Sequence, residues 1–300
     1  MGTDLIRGFQ GIYTNTESNP YLIKPPDANK ENAIKYVHYV IDSRDRNISL
    51  FPNPSKYEVI LFENMQDVRS LKLLAADVPF SRYNIHKHNN VLYLSIGIDP
   101  ILEITLIEGF YKNERDIVNA LRENLDPYNI QLVYNDITKK ITFISSSSFS
   151  FFFKGFLTKH SNEQDDHIKK TNCMNNVLGF GIKDYTAGFK DDGVYSITSE
   201  YPMSLDSDNY IIMKINSADT YVSNSSYANK SFSIINKPSG DLNNNYLEQN
   251  IKIFNPPLPF FQRLKISFHD YYGNLYDFNN IDHRIELQFG LIKQGRKLKT

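Results

Sequence analysis

Three hundred residues with 33 basic and 34 acidic side chains carry a formal charge of -1, so no global field draws the chain to nucleic acid, and the length suits one large domain or two modest ones. Hydrophobic residues at 41% and charged residues at 22% set it apart from disordered chains, and a single cysteine, Cys173, excludes a disulfide scaffold or a site of several thiolates. No apolar leader opens the sequence and no run reaches the roughly 18 to 20 apolar residues of a membrane helix, so a folded protein of a reducing compartment is expected.

Twenty Tyr and twenty Phe without Trp, alongside many Asn, favour pleated strands separated by polar turns. Residues 1–35 keep no sustained period, contain Asn19-Pro20 and Pro25-Pro26, and read as an extended arm. A short strand is expected at 36–41. Alternation then marks strands at 57–61 and 71–75, and further strands are expected at 91–96 and 101–107. Asn113, with Asp116 three residues on, caps a helix whose Ile117, Val118, Leu121 and Leu125 share one face until Asp126-Pro127 ends it. With strands at 130–134 and 141–144, the block 108–157 reads as a small α/β unit.

Phe149, Phe151, Phe152, Phe153, Phe156 and Leu157 form the most apolar patch. It is either a buried strand or a contact with another subunit or a membrane surface, which makes Phe151, Phe152 and Phe153 candidates for assembly. Residues 159–172 read as a polar, mobile loop. Strands follow at 194–198, 210–215, 232–235 and 250–254. Past Pro256-Pro257-Leu258-Pro259, a hairpin of 264–268 and 275–278 turns on Gly273-Asn274, and 285–291 alternates cleanly. Residues 293–300 form a basic tail with Lys293, Arg296, Lys297 and Lys299. The domain of 36–292 is thus expected to be mainly β, a β-sandwich with one inserted amphipathic helix.

Signs of chemistry are sparse. His86 and His88 are the one tight histidine pair and lack a third ligand. Asp165, Asp166 and His167 sit in a polar loop without a rigid support. His283 beside Asp282 and His269 beside Asp270 would point to opposite faces of a strand and so fail as base and orienter. Gly179-Phe180-Gly181 lacks the third glycine of a dinucleotide loop, and no nucleophile elbow, phosphate loop or zinc helix occurs. No enzymatic activity, cofactor or metal is expected. The charged cluster Asp42, Arg44, Asp45 and Arg46 lies between hydrophobic strands and is expected to serve architecture, as a corner brace or an assembly contact. Asp42 and Arg44, two apart on a strand, would share one side and pair, so Arg44→Ala should damage folding or assembly while replacing both with apolar residues should be milder.

Ile41-Asp42-Ser43-Arg44-Asp45-Arg46-Asn47, then Phe51-Pro52-Asn53-Pro54-Ser55 and Tyr57-Glu58-Val59, resembles the minor capsid and penton-type proteins of nucleocytoplasmic large DNA viruses. The likeness continues through Val68-Arg69-Ser70-Leu71, Val78-Pro79-Phe80, Tyr83-Asn84-Ile85 and Asn89-Asn90, and more loosely through Glu108-Gly109-Phe110-Tyr111, Val133-Tyr134-Asn135-Asp136 and the region of Gly273 and His283. The resemblance implies a single jelly roll, a non-enzymatic role in the virion and assembly in the host cytoplasm. Its implied partners are further copies of itself, as in a pentamer, the major capsid protein, other minor capsid proteins and an internal membrane, with no specific nucleic acid. A receptor- or carbohydrate-binding β-sandwich on a virion surface is the alternative.

Overall fold

The computed structural model describes residues 34–154, 173–190, 193–205, 209–237 and 251–293. The expected arm up to residue 33, the polar loop 159–172 with Asp165, Asp166 and His167, and the basic tail beyond Lys293 lie outside them. In chain order the elements are β1 (Ile34–Asp42), β2 (Lys56–Asp77), β3 (Val91–Ile96), β4 (Leu102–Thr105), α1 (Glu114–Leu125), β5 (Gln131–Asn135), β6 (Lys140–Ser145) and β7 (Phe149–Phe151). After these come α2 (Asn175–Leu178), β8 (Tyr185–Thr186), β9 (Gly188–Phe189), β10 (Tyr195–Thr198), β11 (Tyr210–Ile215), β12 (Ser233–Asn236), β13 (Ile251–His269) and β14 (Arg284–Ile292).

Six strands form one antiparallel sheet in the order β1-β14-β2-β13-β11-β12. This sheet cannot be flat. The Tyr57 hydroxyl lies 3.0 Å from Nε2 of His283, yet His283 adjoins Arg284, which pairs with Asp77 at the far end of β2. Along a straight strand, Tyr57 and Asp77 would stand about 65 Å apart. β2 therefore folds back on itself. The bend falls where residues 61–64 oppose the single Gln262 of β13 and where Asp67 takes φ 50°, the local kink and added twist that bulges produce.

Each long strand thus serves as two. The sequence pattern suggested separate strands at 57–61 and 71–75, and 250–254 apart from 264–268; in the fold each pair belongs to one bent strand. β13 continues through Pro256, Pro257 and Pro259 because its first half is an edge, where a missing N–H goes unneeded. Numbered by segment along the chain, β1 is first, the halves of β2 second and third, β11 fourth, β12 fifth, the halves of β13 sixth and seventh, and β14 eighth. One layer then runs 1-8-3-6 and the other 2-7-4-5. That is the eight-strand, double Greek-key order of a jelly roll. Its core holds Leu71, Phe232, Leu264, Phe268, Leu287 and Phe289, and the Phe261 and Phe289 rings meet at 5.9 Å between centroids.

Between the third and fourth segments the chain builds a second lobe, residues 82–205, with its own buried cluster. This insertion is larger than the 108–157 unit suggested by local pattern. Two four-stranded sheets, β4-β3-β7-β8 and β5-β6-β10-β9, face one another, and Phe143 of β6 meets Phe151 of β7 at 4.7 Å. α1 begins as expected, with Asn113 and Asp116 exchanging side-chain and backbone hydrogen bonds in a capping box, and it buries Ile117, Val118, Leu121 and Leu125 in this core. The β5–β6 turn is closed by the Asn135 side chain, which accepts from the backbone N–H of Ile137 and Thr138, with Lys139 at φ 57°. The expected return strand 275–278 is reduced to one bridge, His269 to Leu275.

Candidate functional site

At the end of β1 the chain leaves the strand and winds one 3-10 turn over Ser43–Asp45. Strand alternation therefore does not govern the charged cluster. Asp42 caps the turn, its carboxylate accepting from the Arg44 backbone N–H at 3.0 Å and from Arg44 Nε at 2.8 Å. The Arg44 guanidinium holds the Asp42 carboxyl down at about 2. This pair is local and wet, for the Arg44 side chain is 73% exposed; Asp45 is exposed as well. The buried cation is Arg46, at 7%. It donates to the Ser43 carbonyl at 2.7 Å, Asp282 Oδ1 at 2.6 Å, the Phe51 carbonyl at 3.0 Å and the Pro52 carbonyl at 3.2 Å. Arg46, not the Asp42–Arg44 pair, braces the corner, which corrects the expectation for Arg44.

The brace continues inward. Ser43 Oγ donates to Asp282 at 2.7 Å and accepts from the His283 N–H at 2.9 Å. Asp282 and His283 diverge, the first toward Ser43 and Arg46 and the second toward the Tyr57 hydroxyl. His283 is buried between Phe268 and Phe278, at 4.6 and 5.0 Å between ring centroids. Burial lowers its pKa to about 4, and its Nδ1 meets no partner among the described residues.

A second polar cluster joins the lobes. Arg82 Nη1 lies 2.8 Å from Asp270 Oδ2, with both side chains buried, and the guanidinium stands 5.2 Å from the Tyr276 ring. Asp270 also accepts from the Asn274 backbone N–H at 2.8 Å and from Asn274 Nδ2 at 3.1 Å. Gly273 is required in this turn: it has φ 79° and its α-carbon lies against the Tyr227 ring, where a Cβ would overlap. Beside the joint opens a cleft of about 330 Å³ lined by residues including Asn53, Arg82, His86, His88, Glu108 and Asp277. His86 accepts at Nδ1 from the His88 backbone N–H at 3.2 Å, and burial foremost lowers its pKa to about 3. His269 spends its nitrogens on the Gly273 carbonyl and Ser267. Among the described residues no three His, Cys, Asp or Glu side chains gather as metal ligands. The cleft can hold polar groups, and its lining includes no serine, threonine or cysteine. Gly179-Phe180-Gly181 closes α2, where a Cβ on Gly179 would fall 2.1 Å from the Tyr201 carbonyl oxygen; the motif serves packing.

Of the phenylalanine patch, Phe156 and Leu157 lie outside the described residues, and three of the remaining four face inward. Phe149, Phe151 and Phe153 are buried, and Phe151 and Phe153 contact Phe180 at 5.9 and 5.5 Å. Phe151 and Phe153 are thereby removed from the assembly candidates, leaving the half-buried Phe152. Apolar surface lies elsewhere. Phe62, 98% exposed, and Phe260 project near the bends of β2 and β13, while Ile34, Tyr36, Val40, Ile251 and Ile253 stand out from the layer that holds β1. One signal for β1 was present: residues 36–40 are apolar or aromatic at both parities, as in strands covered on two faces.

A search among curated proteins returns no match. Eleven chains of solved structures match. One is the crystal structure of the mavirus penton protein, with 12% identity, 86% of this chain and 99% of that chain covered, and a TM-score of 0.35. The sequence profile of the family of unknown function DUF5901 matches residues 29–255, and the chain belongs to that family.

Proposed function

We propose that the protein is a non-enzymatic structural subunit of the icosahedral capsid of a large double-stranded DNA virus, in a minor capsid or penton role. The observation that carries this reading is the strand order of two layers, 1-8-3-6 facing 2-7-4-5. Jelly rolls of this order recur in viral capsids, lectins and cupins. A cupin needs ligating side chains inside the roll, and this interior is filled by Phe261, Leu264, Phe268 and Phe289. Outward apolar residues such as Phe62, Tyr36 and Ile253 favour a subunit that buries them against neighbours over a solitary lectin.

On this reading the partners are further copies of the chain, with a pentameric ring as the penton form, the major capsid protein, other minor capsid proteins and an internal membrane. The particle assembles in the host cytoplasm. Arg46, Ser43, Asp282 and His283 keep the corner of the subunit rigid; Asp42, Arg44, Asp45 and Phe152 remain assembly candidates. Mass spectrometry and cryo-electron microscopy of purified particles of the encoding virus test the proposal. The expected result is the chain at a fixed copy number in density matching a jelly roll. Absence from purified particles overturns it, and saturable binding on a glycan array would turn the reading to the carbohydrate-binding alternative.

A further inference from the structure

Among the described residues β1 is a nine-residue strand at the edge of its sheet, bonded on one side to β14 throughout its length. Such an edge offers a row of backbone donors and acceptors to another strand, and proteins usually blunt it with bulges, prolines or a cover. The register of β1 against β14 runs from Ile34 to Asp42 without a shift. Tyr36 is 57% and Val40 54% exposed, and Val37 and Tyr39 are only partly covered by the protein's own core.

We propose that β1 pairs antiparallel with β1 of a second copy of this chain, about a twofold axis at His38. The partner follows from the order Tyr36-Val37-His38-Tyr39-Val40. With His38 opposite itself, Tyr36 faces Val40 of the other copy on the outer side, and Val37 faces its Tyr39 on the inner side. The symmetry repeats both. Every flanking pair is then aromatic against β-branched, a combination that antiparallel neighbours favour. A shift of register by one residue would set inner side chains against outer ones and lose all four pairs. An isologous contact requires this self-complementarity. The union makes one eight-stranded layer from two four-stranded ones and covers the exposed Tyr36 and Val40. On the outer face Tyr36 rests against Gly290, whose missing side chain leaves room for the ring.

The inference adds one contact to the capsid-subunit reading and is tested on purified full-length protein, so its failure leaves incorporation into particles to be judged separately. His38→Cys would place two thiols on directly opposed residues, whose α-carbons stand about 4.5 to 5.5 Å apart, within disulfide range. In Tyr36→Cys the two thiols lie four residues apart along the pair, about 13 Å, and cannot join. The native Cys173 is buried. Mild oxidation should therefore double the mass of His38→Cys on non-reducing gels and leave Tyr36→Cys single. Equal cross-linking of the two variants, or none in His38→Cys, overturns the proposal.

A charge pair guards against misfolding as the explanation. Tyr36→Lys with Val40→Lys sets like charges opposite one another, as does Tyr36→Glu with Val40→Glu, so each double variant should sediment as a monomer where the unmodified chain dimerises. Mixing the two should restore a dimer containing one copy of each. A mixture that stays monomeric while both variants keep their β-type circular dichroism overturns the proposal.

Discussion

The two lobes reach the same kind of core by opposite routes. In the inserted lobe half of the strand pairs are near in sequence: β5 pairs with β6 across one short turn, β3 with β4, and β9 with β10. The jelly roll is closed by the chain's far ends, with β1 against β14 and Ser43 bonded to Asp282, 239 positions away. Closing a distant loop costs more entropy before any contact rewards it. The insertion, bounded by Ser81 and Leu205 and owning its core, has what it needs to form first; the roll waits for β14.

The sharpest break of that comparison is truncation before Arg284. Loss of β14 removes the strand between β1 and β2, so the jelly roll should unfold entirely. The inserted lobe should survive as a protease-resistant fragment with its near-ultraviolet aromatic signal. If the whole chain becomes protease-sensitive, the lobes are one cooperative unit.

Next in size is the joint between them. Arg82→Ala strands the buried Asp270 carboxylate, and removing one partner of such a pair costs about 3 to 5 kcal/mol. Denaturant unfolding should show the loss, and a transition that splits in two would locate it between the lobes. Leu at 82 with Leu at 270, which removes both charges, should be milder.

Acid probes both lobes at once, through His283 in the roll and His86 in the insertion. Each has a folded-state pKa below the 6.5 of the free side chain, about 4 and about 3, so the unfolded chain takes up the proton first. Stability is full above pH 6.5. It falls as the pH drops toward about 4 for His283 and about 3 for His86, and levels off below. These displacements correspond to on the order of 3 kcal/mol for His283 and about 5 kcal/mol for His86. Thermal unfolding between pH 7 and 4 should follow this slope, and His283→Gln should flatten the part owed to the jelly roll. An unchanged slope would show that the imidazole takes up its proton equally in the folded and unfolded states.

The smaller effects separate two arginines in one corner. Arg46→Ala removes the donor to three backbone carbonyls and to Asp282, itself one-third exposed, and should cost about 2 to 3 kcal/mol. Arg44→Ala breaks an exposed pair and should cost less than about 1 kcal/mol. Equal melting points for the two variants would refute the assignment of the brace.

Where a decision is local, the sequence carried it. The capping box of Asn113 and Asp116, the apolar face of α1, the Asn135 turn and the core strands of both lobes involve neighbours within a few residues, and their side-chain period is visible in one dimension. The mainly β class was legible for the same reason, and the resemblance around residues 41–59 pointed to a jelly roll. Only the tertiary structure decided that β2 and β13 each bend into two strands, because a bulge is defined by the residues of another strand. It also decided that Phe151 and Phe153 face Phe180 instead of a neighbour. The corner shows the difference most plainly. Arg44 and Arg46 are equivalent charges two positions apart, and what separates them is Asp282, brought from the other end of the chain to accept from one and not the other. Burial and partnership are properties of where distant segments meet, and that meeting is absent from any local window of sequence.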